Sequence, residues 1–298
     1  MRFRTEVDIQ KPEWCVEHSQ KLLLLGSCFA DNIGERLAQA GFQTSVNPFG
    51  TLYNPASVAD ALTRLLDERP FQSDELQPFG AEGWGTFSSH SLLSRQTKEE
   101  ALSVLNERFW QASSRLREAD VLFVTFGTAW VYRLAENGAI VANCHHEPAS
   151  RFIRERLSVD EIVALWHPLL KRLHAINPDL HVLFTVSPIR HFRDGAHANQ
   201  LSKATLLLAV EQLIKTSQAV YFPAYEIVLD ELRDYRFFAD DMAHPSSMAI
   251  EYLWERFADT FFSTQTREET VRAEKRAKAQ AHRPLQDRIN NQNNNINF

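Results

Sequence analysis

Four short, mostly apolar runs divide the chain and predict buried strands. Each run is followed by a glycine, a serine or a proline, and they occupy residues 21–25, 119–126, 180–186 and 219–222. Runs without polar alternation are typical of strands that are covered on both faces, as in a parallel sheet. A weaker fifth strand is predicted at residues 43–46, directly before Asn47-Pro48.

Apolar residues at helical spacing follow these strands. A capping box formed by Ser158 and Glu161 marks the start of one helix. The predicted helices cover residues 29–37, 102–116, 158–173, 206–214 and 250–261. Strands and helices alternate along the chain, which predicts an α/β fold: a three-layer α/β/α sandwich around a five-stranded parallel sheet.

Two insertions interrupt the alternation, and a tail follows it. Residues 68–97 show no clear period, whereas residues 131–157 contain Asn137-Gly138 between two alternating runs, which predicts a hairpin with a type I′ turn. Residues 1–263 are therefore predicted to form a single domain. Residues 264–298 carry seven Lys/Arg and four Asp/Glu and are expected to be a charged, partly disordered tail, with a solvated or frayed helix favoured over an interaction arm. Disorder is expected at the low-complexity residues 291–297.

Composition narrows the classes of function. The net charge of −6 argues against a general nucleic-acid binder, which needs a basic face. The chain contains no apolar stretch long enough to span a bilayer, and its first residues lack the apolar region of a signal peptide. Three cysteines without framework spacing are typical of reduced thiols, so a cytoplasmic location is expected. Nothing in the sequence requires a cofactor or sets the oligomeric state.

The first candidate for chemistry is Ser27, which follows the first predicted strand and precedes a helix. Ligands of doubly wound sheets bind beyond the carboxyl ends of the strands. A serine there lies beside the free N–H groups of a helix N-terminus, which can stabilise a developing oxyanion. Taken alone, the position also fits a serine that only caps the helix.

A serine nucleophile needs a base, and the base needs an orienting group. Asp241 precedes His244 by three residues, after the fifth predicted strand. Its carboxylate can accept a hydrogen bond from the imidazole Nδ1–H, which leaves Nε2 for the serine. A surface ion pair is the simpler interpretation of this spacing alone.

The string Gly-Ser-Cys-Phe-Ala at residues 26–30 resembles the motif that names the GSCFA family. Further similar segments are NPFGTLYNP at 47–55, TFGTAWVY at 125–132, ANCHHEP at 142–148, TVSPIRH at 185–191 and residues 221–246. The resemblance covers roughly residues 20–262. That family in turn resembles the SGNH (GDSL-like) hydrolases, which are esterases and acyl hydrolases with a flavodoxin-like three-layer fold.

The resemblance implies that Ser27 is the nucleophile and that Asp241 and His244 supply the orienting acid and the base. It implies an ester hydrolase that acts on an acylated carbohydrate or on the ester of a small alcohol. An acyltransferase with the same site, or a ligand-binding module without enzymatic activity, is the alternative.

The resemblance also implies an oxyanion hole. Its backbone donors would be Ser27 and Gly50, with Gly127-Thr128 at the third conserved block of SGNH enzymes. That block normally supplies an asparagine side chain, which this sequence lacks there. Either Thr128 or Asn143 replaces it, or the hole has only two donors. Gly26, Gly50 and Gly127 are accordingly expected to crowd one cleft with Ser27 and His244.

Cys28 competes with Ser27 for the role of nucleophile. A thiol at a helix N-terminus would have a lowered pKa. Adjacent helical residues point about 100° apart, so only one of the two can face His244. The resemblance favours Ser27.

Two further groups lie at the expected edge of the sheet. Cys144, His145 and His146 resemble metal ligands, but no second pair has zinc spacing, so no metal is predicted and His145 is expected to contact substrate or to be structural. Arg190 follows the fourth strand and can bind an anionic substrate group, while His191 can serve as a second base. Ion pairing with acidic residues is the alternative for both.

Overall fold

A five-stranded parallel sheet forms the centre of the computed structural model, which describes residues 4–281. Its strands are β1 (Lys21–Gly26), β2 (Gln43–Val46), β3 (Val121–Phe126), β4 (His181–Val186) and β5 (Val220–Phe222), and their order across the sheet is β2-β1-β3-β4-β5. The five predicted strands are confirmed. The order is that of flavodoxin-like sheets, which places a crossover reversal between β1 and β3.

Helices cover both faces of this sheet. They are α1 (Cys28–Gln39), α2 (Pro55–Leu66), α3 (Lys98–Arg117), α4 (Val159–Ile176), α5 (Ala196–Lys215), α6 (Ser247–Phe261) and α7 (Thr264–Ala281). Successive residues of β1 point to opposite faces, so Leu23 packs into the core beneath α2 to α5 while Leu22 and Leu24 pack into the core beneath α1 and α6. The predicted three-layer sandwich is thereby confirmed. No helix within residues 4–281 combines the length and apolarity that a bilayer crossing requires.

Helix α2 is missing from the sequence-based prediction. Asn54 caps it by accepting a hydrogen bond of 2.8 Å from Ser57 N, and Pro55 takes the first helical position. Both signals are present in the sequence. The prediction fails because an Asn-Pro pair equally marks a loop.

The second insertion forms a small antiparallel sheet. Residues Trp130–Leu134 pair with Ile140–Val141 on one side and with Phe152–Arg156 on the other. The predicted hairpin is confirmed, but its type I′ turn is wrong. Within the loop, Gly138 has a φ of 73° while Asn137 does not have a positive φ, because the pairing starts farther back, at Leu134 and Ala139, and leaves a longer loop.

The tail begins as a helix that packs on the domain. Thr266 and Thr270 of α7 are buried, and Glu269 approaches His18 Nδ1 to 3.3 Å. The helix favoured for the start of the tail is present, but it packs through these residues and is not the fully solvated or frayed helix that was expected. The disorder expected for residues 291–297 lies outside the described residues.

Candidate active site

A cleft of about 460 Å³ opens at the carboxyl ends of β1, β3 and β4. This is the edge at which parallel sheets of this kind bind ligands. Eight of the residues singled out from the sequence line it: Ser27, Cys28, Thr128, Asn143, Cys144, Arg190, His191 and His244. Five others, Gly50, Gly127, Asp241, His145 and His146, do not line it.

Ser27 is the buried N-cap of α1. Its Oγ accepts a hydrogen bond of 3.4 Å from Phe29 N, and its own N–H donates to Thr125 O at 3.1 Å. Gly26 precedes it with a φ of 137°, and a Cβ there would collide with Thr125 O. Only glycine therefore allows β1 and β3 to approach closely enough to hold the serine at this point.

Gly127 adjoins the serine from β3. A Cβ on Gly127 would lie 3.2 Å from Ser27 Cβ and 3.0 Å from Tyr53 O. The expected crowding around Ser27 is therefore found at Gly127. Gly50 departs from it, because a Cβ there would meet the side chain of His90 instead.

Asp241 and His244 form a compact hydrogen-bonded unit. The Asp241 Oδ2 and His244 Nδ1 atoms are 2.5 Å apart, and Asp241 Oδ1 accepts from the backbone N–H groups of His244 and Ala243 at 2.9 Å each. The His244 backbone bond is the largest of the contributions that lower the Asp241 pKa to about 2. An ionised carboxylate makes Nδ1 the hydrogen-bond donor, which leaves Nε2 as the free nitrogen.

The loop that carries His244 is exposed but anchored. The side chain of His244 is 53% exposed. Arg190 N donates to Ala243 O at 3.2 Å, which joins this loop to the loop after β4. Ser27 and His244 therefore line one cleft, although no hydrogen bond joins the two side chains within the described residues. Such contacts are often long before substrate binds.

The two backbone donors implied for the oxyanion hole are already engaged. Ser27 N–H bonds to Thr125 O, as described above. Gly50 N–H donates to Asn47 O at 2.8 Å and closes a tight turn. Gly50 therefore lies outside the cleft with its N–H satisfied, which does not fit the role that the resemblance implies for it.

The third-block residues are similarly occupied. The N–H groups of Gly127 and Thr128 both donate to Tyr53 O, at 2.8 and 2.9 Å. The Thr128 hydroxyl lies 3.1 Å from Ser202 Oγ and accepts from Trp130 N at 3.1 Å. Thr128 therefore has little capacity left to hold an oxyanion.

Asn143 is the remaining side-chain donor. Its Oδ1 accepts a hydrogen bond of 2.8 Å from His145 N, which fixes the orientation of the amide. Its Nδ2 has no partner among the described residues, and the residue lines the cleft. Of the two replacements for the absent asparagine, Asn143 is the one with a free donor.

His145 is held by the first insertion. It is buried, its Nδ1 lies 2.7 Å from Glu82 Oε2, and its Nε2 lies 2.9 Å from Thr86 O. The ring also stacks on Phe79 with centroids 3.9 Å apart. Both ring nitrogens are therefore engaged by the first insertion, and His145 does not line the cleft, which favours the structural alternative over contact with substrate.

Cys28 lines the cleft beside Ser27 but is poorly suited to attack. Burial, and then the nearby Asp31 carboxylate, raises the pKa of its thiol. The lowered pKa expected at a helix N-terminus is therefore wrong, because desolvation outweighs the helix contribution here.

Sequence reasoning misses one charged residue, Lys203, which lies beneath the cleft. It is fully buried in α5, and its Nζ donates to Gly127 O at 2.6 Å and to Ser187 O at 2.7 Å. Burial lowers its pKa to about 7. The signal was available, because Lys203 stands at helical spacing from Leu206 and Val210 on the apolar face of α5.

His191 is half-buried near this lysine. Burial, followed by the charge of Lys203, lowers the His191 pKa to about 4, so its imidazole is neutral near pH 7. His191 N donates to Asn199 Oδ1 at 2.9 Å. Its ring is thus held near the cleft in the uncharged form.

Comparisons with solved structures find distant matches. A carbohydrate esterase family 3 protein from Talaromyces cellulolyticus is 9% identical, with a TM-score of 0.39 over 80% of this chain and 95% of that one. An acetyl xylan esterase (Est2A) from the rumen bacterium Butyrivibrio proteoclasticus is 13% identical, with a TM-score of 0.43 over 81% of this chain and 63% of that one. An acetyl esterase, solved as a serine-to-alanine mutant with acetate ion, is 12% identical, with a TM-score of 0.39 over 80% of this chain and 95% of that one.

No curated protein sequence gives a significant match. The sequence model of the GSCFA family, in contrast, matches residues 21–257, which include every strand of the central sheet and the Asp241–His244 pair. The chain therefore belongs to the GSCFA family.

Proposed function

We propose that this protein is a serine ester hydrolase of the SGNH type, which acts on an acylated carbohydrate or on the ester of a small alcohol. Ser27 is the nucleophile, His244 the general base and Asp241 the group that orients the base. One observation carries the proposal: His244, which is hydrogen-bonded to Asp241, lines the same cleft as a serine at a helix N-terminus.

The reaction starts when His244 Nε2 takes the proton of Ser27 Oγ as that oxygen attacks the acyl carbonyl carbon. Asp241 stabilises the imidazolium that forms. Collapse of the tetrahedral intermediate breaks the ester bond, and the alcohol leaves with the proton from His244. Water then attacks the acyl-enzyme with His244 again as base, the acid departs, and Ser27 Oγ recovers a proton.

Charge on the carbonyl oxygen needs donors in the cleft. Asn143 Nδ2 is one, because it is free of partners among the described residues and belongs to a residue that lines the cleft. The N-terminus of α1, which Ser27 caps, adds the partial positive charge of its N–H groups. Ser27 N–H joins them only if it exchanges its bond to Thr125 O for the oxyanion.

A fluorophosphonate probe and short p-nitrophenyl esters test the proposal together. We expect the wild type to turn over the esters and to be labelled at Ser27, and we expect Ser27→Ala to lose both properties while it remains folded, with its melting temperature lowered only by the loss of the α1 N-cap. The matched control is Cys28→Ser, which should still be labelled at Ser27. Equal turnover by wild type and Ser27→Ala would refute the mechanism.

The same experiment separates the alternatives. A folded wild type that the probe leaves unlabelled would point to a binding module. Product analysis with and without an added sugar acceptor distinguishes transfer of the acyl group from its release to water.

A further inference from the structure

The charge of the cleft is opposite to that of the chain. The chain carries a net charge of −6. Three arginines line the cleft, Arg154, Arg190 and Arg193, whereas Asp194 is the one acidic residue among its lining residues. Positive charge concentrated in a cleft raises the local concentration of anions.

Asp194, the one acidic residue that lines the cleft, already has an ion-pair partner. Arg154 forms an ion pair with Asp194, and its guanidinium lies over the ring of Trp130, with 4.3 Å between Cζ and the ring centroid. Within residues 4–281, neither Arg190 nor Arg193 has a carboxylate within ion-pair distance. These two arginines therefore remain available to a ligand.

Arg190 is held in place without being satisfied. Its Cζ lies 5.4 Å from the centroid of the Phe192 ring, and its backbone N–H binds the loop that carries His244. Its Nε is buried and has no acceptor among the described residues, and the same holds for Trp130 Nε1. Both atoms can only donate, so a ligand rich in acceptor oxygens would satisfy them.

Neighbouring groups respond to this positive field. After burial, the charge of Arg190 is the next cause that lowers the Lys203 pKa. Lys203, His244 and Arg154 all contribute to the lowered His191 pKa, against Asp194, which raises it. The positive charges of the cleft therefore also lower the pKa values of Lys203 and His191.

We infer that the cleft selects esters that carry an anionic oxygen group, a carboxylate or a phosphate, and that Arg190 binds this group with Arg193 beside it. The inference rests on the proposed hydrolase function for the site and names the class of its substrate. A guanidinium presents parallel N–H donors that match the two oxygens of a carboxylate or a phosphate.

Kinetics with matched esters test the selection. The alcohol-side set is acetylated methyl glucoside, acetylated methyl glucuronide and acetylated glucose 6-phosphate, and the acyl-side pair is p-nitrophenyl acetate and mono-p-nitrophenyl succinate. We expect kcat/KM to favour an anionic member over its neutral partner by roughly 10- to 100-fold. The two sets also tell which side of the ester carries the anion, and the glucuronide and phosphate members tell carboxylate from phosphate.

Variants assign the preference to Arg190. Arg190→Gln should lower kcat/KM for the anionic esters roughly 10-fold more than for the neutral ones, chiefly through KM, and Arg190→Lys should recover part of the loss. The control is Arg172→Gln. It removes an exposed arginine of α4 that pairs with Asp67, and it should keep the wild-type ratio of kcat/KM between anionic and neutral esters. A ratio near one in the wild type, or an unchanged ratio in Arg190→Gln, would overturn the inference.

A binding measurement does not depend on turnover. In calorimetry, Ser27→Ala should bind methyl glucuronide or glucose 6-phosphate with a dissociation constant at least 10-fold lower than that for methyl glucoside. The double variant Ser27→Ala with Arg190→Gln should lose this difference. Anion binding without ester turnover would refute the hydrolase proposal and leave the anion site standing. Turnover without any preference for anions, in kinetics and in binding, would refute the anion site and leave the hydrolase standing.

Discussion

The proposed nucleophile and the proposed base are held by opposite kinds of structure. Ser27 is buried between β1 and β3, where Gly26 and Gly127 allow two strands and a loop to close around it. His244 is half exposed on a short loop, which is held by hydrogen bonds to Asp241 and, through Ala243 O, to the loop after β4. The first half of the site depends on the core, whereas the second half depends on local bonds that the core does not require.

This difference implies that the two halves respond differently to substitution. Changes around Ser27 should alter stability and activity together, because the packing that orients the serine is the packing of the sheet. Changes in the Asp241–His244 loop should alter activity with the fold intact, because exposed local bonds contribute little to the free energy of unfolding.

The largest expected effect is on catalysis by Asp241→Asn. Loss of the carboxylate removes the acceptor that fixes the His244 tautomer, so kcat should fall by roughly 10³- to 10⁴-fold. The free energy of unfolding should stay close to that of the wild type. Steady-state kinetics and urea denaturation measure the two quantities.

Asp240→Asn is the matched control for this variant. Asp240 is the exposed neighbour of Asp241 and makes no hydrogen bond or ion pair with another described residue. It should keep wild-type kcat. If Asp241→Asn also kept it, the base would not need the carboxylate and the comparison would lose its exposed half.

Gly26→Ala should produce the next largest effect, this time on stability. The new Cβ would collide with Thr125 O at a φ of 137°, so β1 and β3 must separate. We expect a loss of about 3–5 kcal/mol in the free energy of unfolding, together with loss of ester turnover.

Gly138→Ala isolates the cost of backbone conformation from the cost of the collision. Gly138 also has a positive φ, of 73°, but a Cβ there meets nothing within 4 Å. Its cost should be about 1–2 kcal/mol, with activity retained. Equal costs for the two glycines, measured by urea denaturation, would show that close strand approach is not what Gly26 provides.

The smallest effect concerns pH and the buried Lys203. Its pKa is about 7 in the folded protein and 10.5 in the unfolded chain, so the unfolded state binds more protons between these values. Stability from this group therefore rises with pH across that window. From pH 7 to pH 9 the wild type should gain about 2 kcal/mol relative to Lys203→Met.

Urea denaturation of both proteins at several pH values between 7 and 10 measures this gain. Lys203→Met is the reference for the wild type, because every other titrating group is common to the two proteins. A difference between the two that stays constant with pH would mean that the lysine remains charged against the carbonyls of Gly127 and Ser187.

The sequence predicts the frame of this molecule better than its site. The strands are found because buried parallel strands are continuously apolar, and Ser27 and His244 reach one cleft because parallel strands place their carboxyl ends together. Both results depend only on local patterns and on a general rule of topology.

The misplaced residues depend on long-range contacts. His145 is occupied by Glu82 and Thr86, and Gly50 packs on His90, all from an insertion whose sequence shows no period. Lys203 is visible as a charge on an apolar helix face, but its two carbonyl partners come from distant loops. Partners of this kind cannot be assigned from spacing along one chain.

The buried His145 has a consequence for how the wall of the cleft can change over evolution. It joins the hairpin insertion to the insertion at residues 68–97, and it lies two residues from Asn143. A graft of either insertion alone would leave a buried imidazole or a buried acceptor without its partner, at a cost of about 1–3 kcal/mol. We therefore expect the two insertions to be exchangeable only as a pair, by inheritance or by engineering, while the serine, the sheet and the Asp–His loop stay constant.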